Sequence, residues 1–256
     1  MPEITLNWWK KLSDSWKKIF AINYVFAFRF SDQMKQEILV KGVNPFKNYL
    51  FKLQKEFTLF DMDEVKIQKL QSLDILYASG CAIKDITPLS VIKNLLVIDL
   101  SFNEIESVDA IGKCIYLREL ILEKNVVKKI NSISGLTGLE QLNLRENKIS
   151  DLTPLSKLNK LSFLDISNNN ITEIGCLDKL VLLKEIQCSL NNINKATVLK
   201  DLKKIEVIDI SSNKIKDASF IFDLPVLKYA DISSNEIDIT AYQWKKLTEN
   251  GLNLKL

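Results

Sequence analysis

One pattern returns every 22 residues through most of the chain, and it constrains the fold more than any other feature of the sequence. Each unit opens with an apolar residue, carries Asn or Cys eight residues later, and carries Ile or Val two residues after that. Eight units align without insertion or deletion. A fixed period of this length is typical of a solenoid, in which stacked units share one continuous core. The leading residues are Leu73, Leu95, Leu117, Leu139, Leu161, Leu183, Ile205 and Leu227.

The unit that opens at Leu139 shows how the pattern predicts structure. Alternation over its first half predicts a short strand that points Leu142 and Leu144 inward. A turn follows, and the Asn147 amide can satisfy both donors and acceptors of a buried turn backbone. Apolar residues then recur every third position, which suits 3₁₀ turns. Stacked units would place the Asn or Cys positions in a ladder: Cys81, Asn103, Asn125, Asn147, Asn169, Asn191, Asn213 and Asn235.

We therefore predict an α/β solenoid that is curved, with a parallel sheet on its concave side and 3₁₀ turns on its convex side. Residues 1–72 are predicted to form a helical N-terminal cap, residues 73–239 eight repeats with an atypical last one, and residues 240–256 a helix–strand C-terminal cap, because open solenoid ends need covering. Further elements are predicted at 34–39, 46–53 and 63–70 (helices), 57–60 (a strand), 240–249 (a helix) and 252–256 (a strand).

An apolar stripe recurs at helical spacing near the N-terminus, with lysines on its opposite side. Its members are Trp9, Leu12, Trp16, Ile19 and Phe20. Such a stripe could bind a partner helix, but we expect it to pack on the body of the protein.

Two proline-containing segments, Asp-Ile-Thr-Pro-Leu at 85–89 and Asp-Leu-Thr-Pro-Leu at 151–155, together with the 22-residue length and the Asn position, resemble the short leucine-rich repeats of bacterial internalins. They are also similar to the repeats of eukaryotic phosphatase-regulatory proteins. The resemblance covers roughly residues 73–240. It implies a curved solenoid that binds another protein on its concave sheet. Residues 6–20 resemble the opening of uncharacterised bacterial leucine-rich-repeat proteins.

The outward strand positions differ between units, and this difference suggests where a partner would bind. Four units carry Asp and then Ser at the central outward places, which we interpret as a solvated structural surface. The third and fourth units depart from it and combine apolar, aromatic and charged residues, a composition typical of protein interfaces. Drift on an unused face is the open alternative. The predicted partner-binding residues are Val97, Phe102, Glu119, Ile121, Glu123, Lys124, Gln141, Asn143, Arg145, Glu146 and Phe163.

Enzymatic chemistry is disfavoured by the composition. The chain has no histidine, seven glycines and no nucleophile or phosphate-loop motif. No catalytic residue, metal site or cofactor is predicted. Three arginines among 35 basic residues do not suggest a nucleic-acid surface, and no membrane span is expected. We find no convincing signal peptide and no disulfide pattern, and we expect a monomeric cytoplasmic protein.

Three functional readings remain open from the sequence. The preferred one is a non-catalytic scaffold that binds an unidentified protein on its concave face. The alternatives are a regulatory subunit of a phosphatase-like enzyme and a self-assembling structural protein. A surface adhesin is less favoured.

Overall fold

The structure is a computed structural model, and it describes residues 4–29, 36–38, 62–238, 240 and 251–256. Among the described residues before the repeats, the α-helices are α1 (Leu6–Lys11), α2 (Asp14–Arg29) and α3 (Glu64–Lys69). Residues 36–38 are also helical. The strands are β1 (Ile75–Tyr77), β2 (Val97–Asp99), β3 (Glu119–Ile121), β4 (Gln141–Asn143), β5 (Phe163–Asp165), β6 (Glu185–Gln187), β7 (Val207–Asp209), β8 (Tyr229–Asp231) and β9 (Asn253–Lys255).

The nine strands form one parallel sheet whose order follows the chain from β1 to β9. Adjacent repeats pair in register, so that Leu120 lies beside Leu142 and Leu142 beside Leu164. Because the pairing offset equals the sequence period, each apolar column becomes a continuous stack inside the solenoid. The predicted parallel-sheet solenoid is confirmed.

Each of the first seven repeats crosses the side opposite the sheet through a short 3₁₀ turn, as its three-residue apolar spacing predicts, and one further 3₁₀ turn precedes the first repeat. Leu155 and Leu158 of the fourth repeat are completely buried, and the Leu158 N–H donates to the Leu155 carbonyl at 2.9 Å. The turns are Leu70–Ser72, Thr87–Val91, Asp109–Lys113, Asn131–Gly135, Thr153–Lys157, Gly175–Lys179, Thr197–Asp201 and Ser219–Asp223.

The asparagine ladder links every repeat to the one before it. The Asn125 Nδ2 donates to the carbonyl oxygens of Leu122 in its own repeat and Leu100 in the previous repeat, each at 3.0 Å. Its Oδ1 accepts the Ile105 N–H, also from the previous repeat, at 3.0 Å. The first position has no preceding repeat to serve. Cys81 stands there, and its own N–H donates to Asn103 Oδ1 at 3.0 Å.

One residue before each ladder asparagine, the backbone is left-handed. Gly80 opens this column with φ of +65°, and the seven later members have φ between +54° and +57° although none of them is glycine. Left-handed backbone is unfavourable for most L-residues, so the repeat geometry imposes it. The non-glycine members are Phe102, Lys124, Glu146, Asn168, Leu190, Ser212 and Ser234.

The N-terminal helices close the first end of the solenoid. Trp9, Trp16 and Phe20 are buried and join the core that runs through the repeats. The Trp16 Nε1 donates to the Asp85 carbonyl oxygen at 2.9 Å, which ties α2 to the first repeat. The prediction that this apolar stripe packs on the body of the protein is confirmed.

The other predicted elements have mixed outcomes. Helix α3, capped by the Asp63 side chain, confirms the helix predicted at 63–70, and β9 confirms the closing strand. Of the helix predicted at 34–39, residues 36–38 are described and are helical. The helix at 46–53 and the strand at 57–60 lie outside the described residues, as does the helix at 240–249 apart from residue 240.

Candidate functional site

A second buried cluster lies on the concave side of the first three strands. Outward-pointing side chains of β1, β2 and β3 meet Phe26 of α2 and Ile38. We call this group the second core; it consists of Phe26, Ile38, Ile75, Tyr77, Val97 and Ile121. All six are at most 4% exposed. The outward side of the first three strands is therefore mostly apolar, apart from the buried acids Asp99 and Glu119, and part of the concave face is closed by the chain itself.

Asn23 closes the outer edge of the sheet next to this cluster. Its Oδ1 accepts the Tyr77 N–H at 2.7 Å, and its Nδ2 donates to the Tyr77 carbonyl oxygen at 2.8 Å. The amide thus makes the two bonds that a neighbouring strand would otherwise make. Edge strands with free backbone groups attract other chains, so Asn23 protects the first strand from that pairing.

The eleven residues predicted to bind a partner fall into two groups. Val97 and Ile121 belong to the second core, and Glu119 beside them is 4% exposed. These three side chains are not accessible to a partner in this structure. Phe102 and Lys124 are exposed, and the other six are half-buried on the concave side: Glu123, Gln141, Asn143, Arg145, Glu146 and Phe163.

Four of the accessible residues form a connected charged and aromatic group. The Lys124 Nζ lies 4.9 Å from the centre of the Phe102 ring. It also lies 3.7 Å from Glu146 Oε2, and the Arg145 Nε lies 3.2 Å from the other oxygen of that carboxylate, Oε1. Exposed cation–π and ion pairs of this kind add little to the free energy of unfolding. They matter instead because they fix the positions of the charged and aromatic groups that a partner would meet.

The Asp and Ser positions are more structural than the sequence indicated. Asp99 and Asp165 are buried, so the prediction of a solvated surface is wrong for them. The Asp99 Oδ1 accepts the N–H of Ser101 at 2.9 Å, and an aspartate that caps its own turn in this way is a common turn motif. Asn143 does the same toward the Arg145 N–H at 2.9 Å. The Asp-x-Ser spacing was the available signal for this turn.

The outward side of β4 to β8 is not covered by the second core, and we call its side chains the open concave surface. Along one column, the half-buried residues are Gln141, Phe163, Glu185, Val207 and Tyr229. The next column holds Asn143, Asp165, Gln187, Asp209 and Asp231. The surface is therefore shallow and polar, with aromatic and aliphatic groups spaced along it.

The sequence contains a signal for the second core in its first strand. Ile75, Leu76 and Tyr77 form an uninterrupted apolar run, whereas Gln141, Leu142 and Asn143 alternate. Uninterrupted apolar runs indicate strands buried on both faces. Which residues supply the cover could not be read from the repeats, because Phe26 and Ile38 lie outside them.

Other site types find little support within the described residues. Among these residues, no group of three or more Cys, Asp or Glu side chains could hold a metal ion. A search of the same residues for a helix that is long and apolar enough to cross a membrane finds none. The four cysteines are free thiols.

Family comparisons agree with the repeat geometry. A family model described as Leucine Rich repeats (2 copies) matches residues 117–157, and one described as Leucine Rich Repeat matches residues 160–180. The matched units are leucine-rich repeats. No curated protein matches its sequence.

Solved structures extend the comparison beyond the residues that the family models match. Internalin C2 of Listeria monocytogenes is 29% identical, with a TM-score of 0.67 over 73% of this chain and 80% of that one. A leucine-rich-repeat protein of Leptospira interrogans is 20% identical, with a TM-score of 0.65 over 81% of this chain and 62% of that one.

A third similar structure is the ectodomain of the Arabidopsis thaliana membrane receptor kinase GASSHO1/SCHENGEN3 in complex with CASPARIAN STRIP INTEGRITY FACTOR 2. It is 22% identical, with a TM-score of 0.58 over 75% of this chain and 28% of that one. The repeats are thus internalin-like, and the fold is one generally used for protein interaction.

Proposed function

We propose that this leucine-rich-repeat protein is a non-catalytic scaffold that binds a protein partner on its open concave surface. The single observation that carries the proposal is the contrast between the two parts of one face. Apolar outward side chains of the first three strands are buried by the chain's own Phe26 and Ile38. The later strands present half-buried polar and aromatic groups instead.

The composition of the open concave surface supports a protein partner. Phe163 and Tyr229 are half-buried, so each offers a ring that a partner could cover further. Amide and carboxylate groups surround them, as on the polar rim of a protein interface. Shallow exposure argues against a catalytic role, because carboxylates tuned for acid–base work are normally enclosed in a cleft.

The free cysteines support the proposed cytoplasmic location. Burial raises the pKa of Cys114 to about 11, which keeps its thiol protonated and unreactive. Burial also raises the pKa of Cys188. Unpaired buried thiols are common in reducing compartments, whereas small secreted domains tend to pair their cysteines.

Asn23 argues against the self-assembling alternative. Continuous stacking of copies would require the edge of β1 to pair with another strand, but Asn23 already occupies the Tyr77 N–H and carbonyl. A regulatory subunit would be one special case of the scaffold, with an enzyme as its partner. No separate observation favours it.

Site-directed photocrosslinking tests the proposal. We would place p-benzoylphenylalanine at Gln187, on the open concave surface, and in a matched variant at Lys200, which is exposed on a convex 3₁₀ turn. In lysate of the source organism, the Gln187 variant is expected to capture a discrete protein that the Lys200 variant does not. Capture by Lys200 alone, or by neither position, would contradict a concave-face scaffold.

A further inference from the structure

Half of the exposed large apolar side chains lie at one edge of the sheet, where the strands begin. We call the two residues before each leading apolar position and the one after it the entry edge. It comprises residues 93–96, 115–118, 137–140, 159–162, 181–184, 203–206 and 225–228, in each case without the leading residue itself. Among the described residues, ten large apolar side chains are exposed, and five of them are on the entry edge: Ile115, Tyr116, Val181, Leu182 and Val226.

Hydrogen bonds hold the entry edge as one continuous row. The Lys184 N–H donates to the Ser162 carbonyl oxygen at 2.8 Å, and the Glu206 N–H donates to the Lys184 carbonyl oxygen at 2.7 Å. Neighbouring strands are about 4.8 Å apart, so the side chains of successive repeats stand side by side. Because a curved solenoid bends about an axis parallel to its strands, this row lies roughly in one plane.

The entry edge is also strongly basic. It has seven cationic side chains, all exposed, and two acids, Glu140 and Glu206. The cationic residues are Lys93, Arg118, Lys160, Lys184, Lys203, Lys204 and Lys228. The edge therefore carries five net positive charges, whereas the whole chain carries three, so the remainder of the protein is negative overall.

The opposite edge, where the strands end, provides an internal comparison. We call the two residues before each ladder asparagine and the one after it, in the same seven repeats, the exit edge. Its charges balance: Glu104, Glu123, Glu146 and Glu236 against Lys124, Arg145, Lys148 and Lys214. Phe102 and Leu190 are exposed there, so apolar exposure alone does not set the two edges apart. What distinguishes the entry edge is apolar side chains combined with positive charge.

Apolar and basic residues alternate along the entry edge. The exposed pair Val181 and Leu182 has a lysine on each side. Lys160 lies in the preceding repeat and Lys204 in the following one, and both are exposed. Because the strands are about 4.8 Å apart, the apolar pair and these two lysines reach the same surface.

This alternation fits a lipid bilayer better than a protein or a nucleic acid. Protein interfaces concentrate apolar groups at a centre from which lysine is depleted. Nucleic-acid phosphates would bind the lysines but leave the apolar residues in water. A bilayer with anionic headgroups accepts both kinds of group, because apolar side chains enter its interface while lysine amines stay among the headgroups. Tyrosine, as at position 116, is also favoured at that depth.

We propose that the entry edge docks the protein on an anionic lipid bilayer, with residues 115–116 and 181–182 inserted among the headgroups and the lysines beside lipid phosphates. The inference goes beyond the proposed scaffold function and uses a different surface. The entry edge lies at the strand ends, whereas the open concave surface consists of outward strand side chains. A docked molecule therefore keeps its open concave surface free for a protein partner.

Cosedimentation of the full-length protein with vesicles tests the proposal. The probes are vesicles of pure phosphatidylcholine and vesicles in which three lipids in ten are phosphatidylglycerol. Each lysine close to an anionic bilayer contributes about fivefold in affinity, so the anionic vesicles are expected to bind at least about tenfold more tightly. Equal binding to the two kinds of vesicle, or no binding to either, would overturn the proposal.

Paired charge variants compare the two edges. Lys160→Gln/Lys204→Gln should weaken binding to the anionic vesicles about 20-fold. Lys148→Gln/Lys214→Gln removes the same charge from exposed positions of the exit edge. The edges are roughly 20 Å apart, beyond the Debye length of about 10 Å, so this control should change binding less than about twofold. Equal losses in both variants would mean that net charge alone attracts the protein, and would refute the assignment.

Apolar variants distinguish insertion from attraction by charge. Val181→Ser/Leu182→Ser should weaken binding about tenfold, because the apolar area that enters the bilayer is lost. Leu190→Ser on the exit edge is the matched control and should bind like the wild type. Thermal denaturation shows whether each variant folds, and exposed positions predict little change in Tm. Wild-type binding by the Val181→Ser/Leu182→Ser protein would contradict insertion and refute the proposal.

Duplex DNA serves as a second probe in the same assay. If the protein binds DNA through Lys160 and Lys204 but does not bind vesicles, the entry edge is a nucleic-acid surface and the bilayer inference is wrong. None of these outcomes affects the photocrosslinking experiment at Gln187, which reports on the open concave surface. The scaffold function and the bilayer inference therefore fail independently.

Discussion

The first three and the last five repeats share one backbone but present different concave faces. In the first three, four of the six outward side chains, including Val97 and Ile121, are apolar, and the chain covers them with Phe26 and Ile38. In the later repeats, equivalent positions hold Asn143 or Asp209 and stay uncovered by that cluster. The comparison teaches that the solenoid alone does not define its surface. What lies outside the repeats decides which part of the face is available.

The largest expected difference in the free energy of unfolding is between aspartate substitutions at Ile121 and at Asn143, its counterpart in the next strand. Ile121→Asp would bury an unpaired carboxylate in the second core and should lower the free energy of unfolding by about 3–5 kcal/mol. Asn143→Asp is the matched control, because four other repeats carry aspartate at this place, and it should change stability by less than about 1 kcal/mol. Urea denaturation of both variants measures the difference. Similar losses would mean that the two strands are equally covered.

A second comparison uses two phenylalanines. Phe26 is 2% exposed, so Phe26→Ala should cost about 3–4 kcal/mol through lost burial and the cavity it leaves. Phe163 is half-buried on the open concave surface, and Phe163→Ala should cost about 1 kcal/mol or less. Thermal denaturation followed by circular dichroism would rank them. A Phe163 variant that is the less stable of the two would reverse our description of the faces.

A substitution at Asn23 tests whether this side chain protects the edge of the first strand from pairing with another chain. Asn23→Leu leaves the Tyr77 N–H and carbonyl without their partner and should cost about 2 kcal/mol. The exposed strand edge should then promote association, which light scattering over a range of concentrations would detect. If the variant stays monomeric at all concentrations, the edge is protected by something other than Asn23.

The pH dependence of two aspartates should differ in sign. Burial raises the pKa of Asp165, so its ionised form opposes folding at pH values above its native pKa, and the penalty disappears below the unfolded value of 3.8. Asp165→Asn should therefore stabilise the protein by about 0.5–1 kcal/mol at pH 7 and lose that advantage as the pH falls.

For Asp231 the native pKa lies below its ordinary value of 3.8, because the bonds from Lys255 and Ser233 outweigh burial. Its stabilisation is present above pH 3.8 and is lost as the pH falls through the lower native pKa. Asp231→Asn should lower the Tm at pH 7, and the deficit should shrink in acid. Parallel Tm profiles from pH 7 to pH 3 for the two variants would show that the two sites do not differ.

The smallest expected effect concerns the left-handed column of the backbone. It tests whether the backbone is the same in the first three and the last five repeats. Phe102 and Leu190 both occupy the left-handed column, with φ of +57° and +55°. Phe102→Asn and Leu190→Asn should each stabilise by about 0.5 kcal/mol, since asparagine tolerates this conformation better. Asn168→Leu is the reverse control. Unequal gains, measured by chemical denaturation, would indicate that the cover distorts the early repeats.

The sequence predicts the solenoid well because the repeat encodes it many times over. Eight copies of one pattern make the inward position of Leu142 and the role of Asn147 difficult to misread. The same repetition says nothing about contacts from outside the array. Ile121 was correctly placed on the outward side, but the segment that buries it follows no period.

The candidate site was harder to predict for a second reason. The Asp-x-Ser pairs look alike in sequence, yet not every serine hydroxyl makes a short hydrogen bond to its aspartate as that of Ser211 does to Asp209 at 2.7 Å. The left-handed column was also invisible, since Phe102 or Lys124 gives no hint of that backbone; the repeat geometry imposes it. Differences of this size depend on side-chain rotation rather than on residue type.

The asparagine ladder runs in one direction along the chain, with each amide bonded to the preceding repeat. This direction has a consequence for how the number of repeats can change in evolution. Every amide serves the unit before it, so a duplicated 22-residue unit inserted between two others would meet correct partners on both sides. The first repeat differs, because Cys81 has no side-chain amide that could bond to a repeat added before it. Gain and loss of units is thus easiest in the interior, where it would lengthen or shorten the open face without disturbing the covered one.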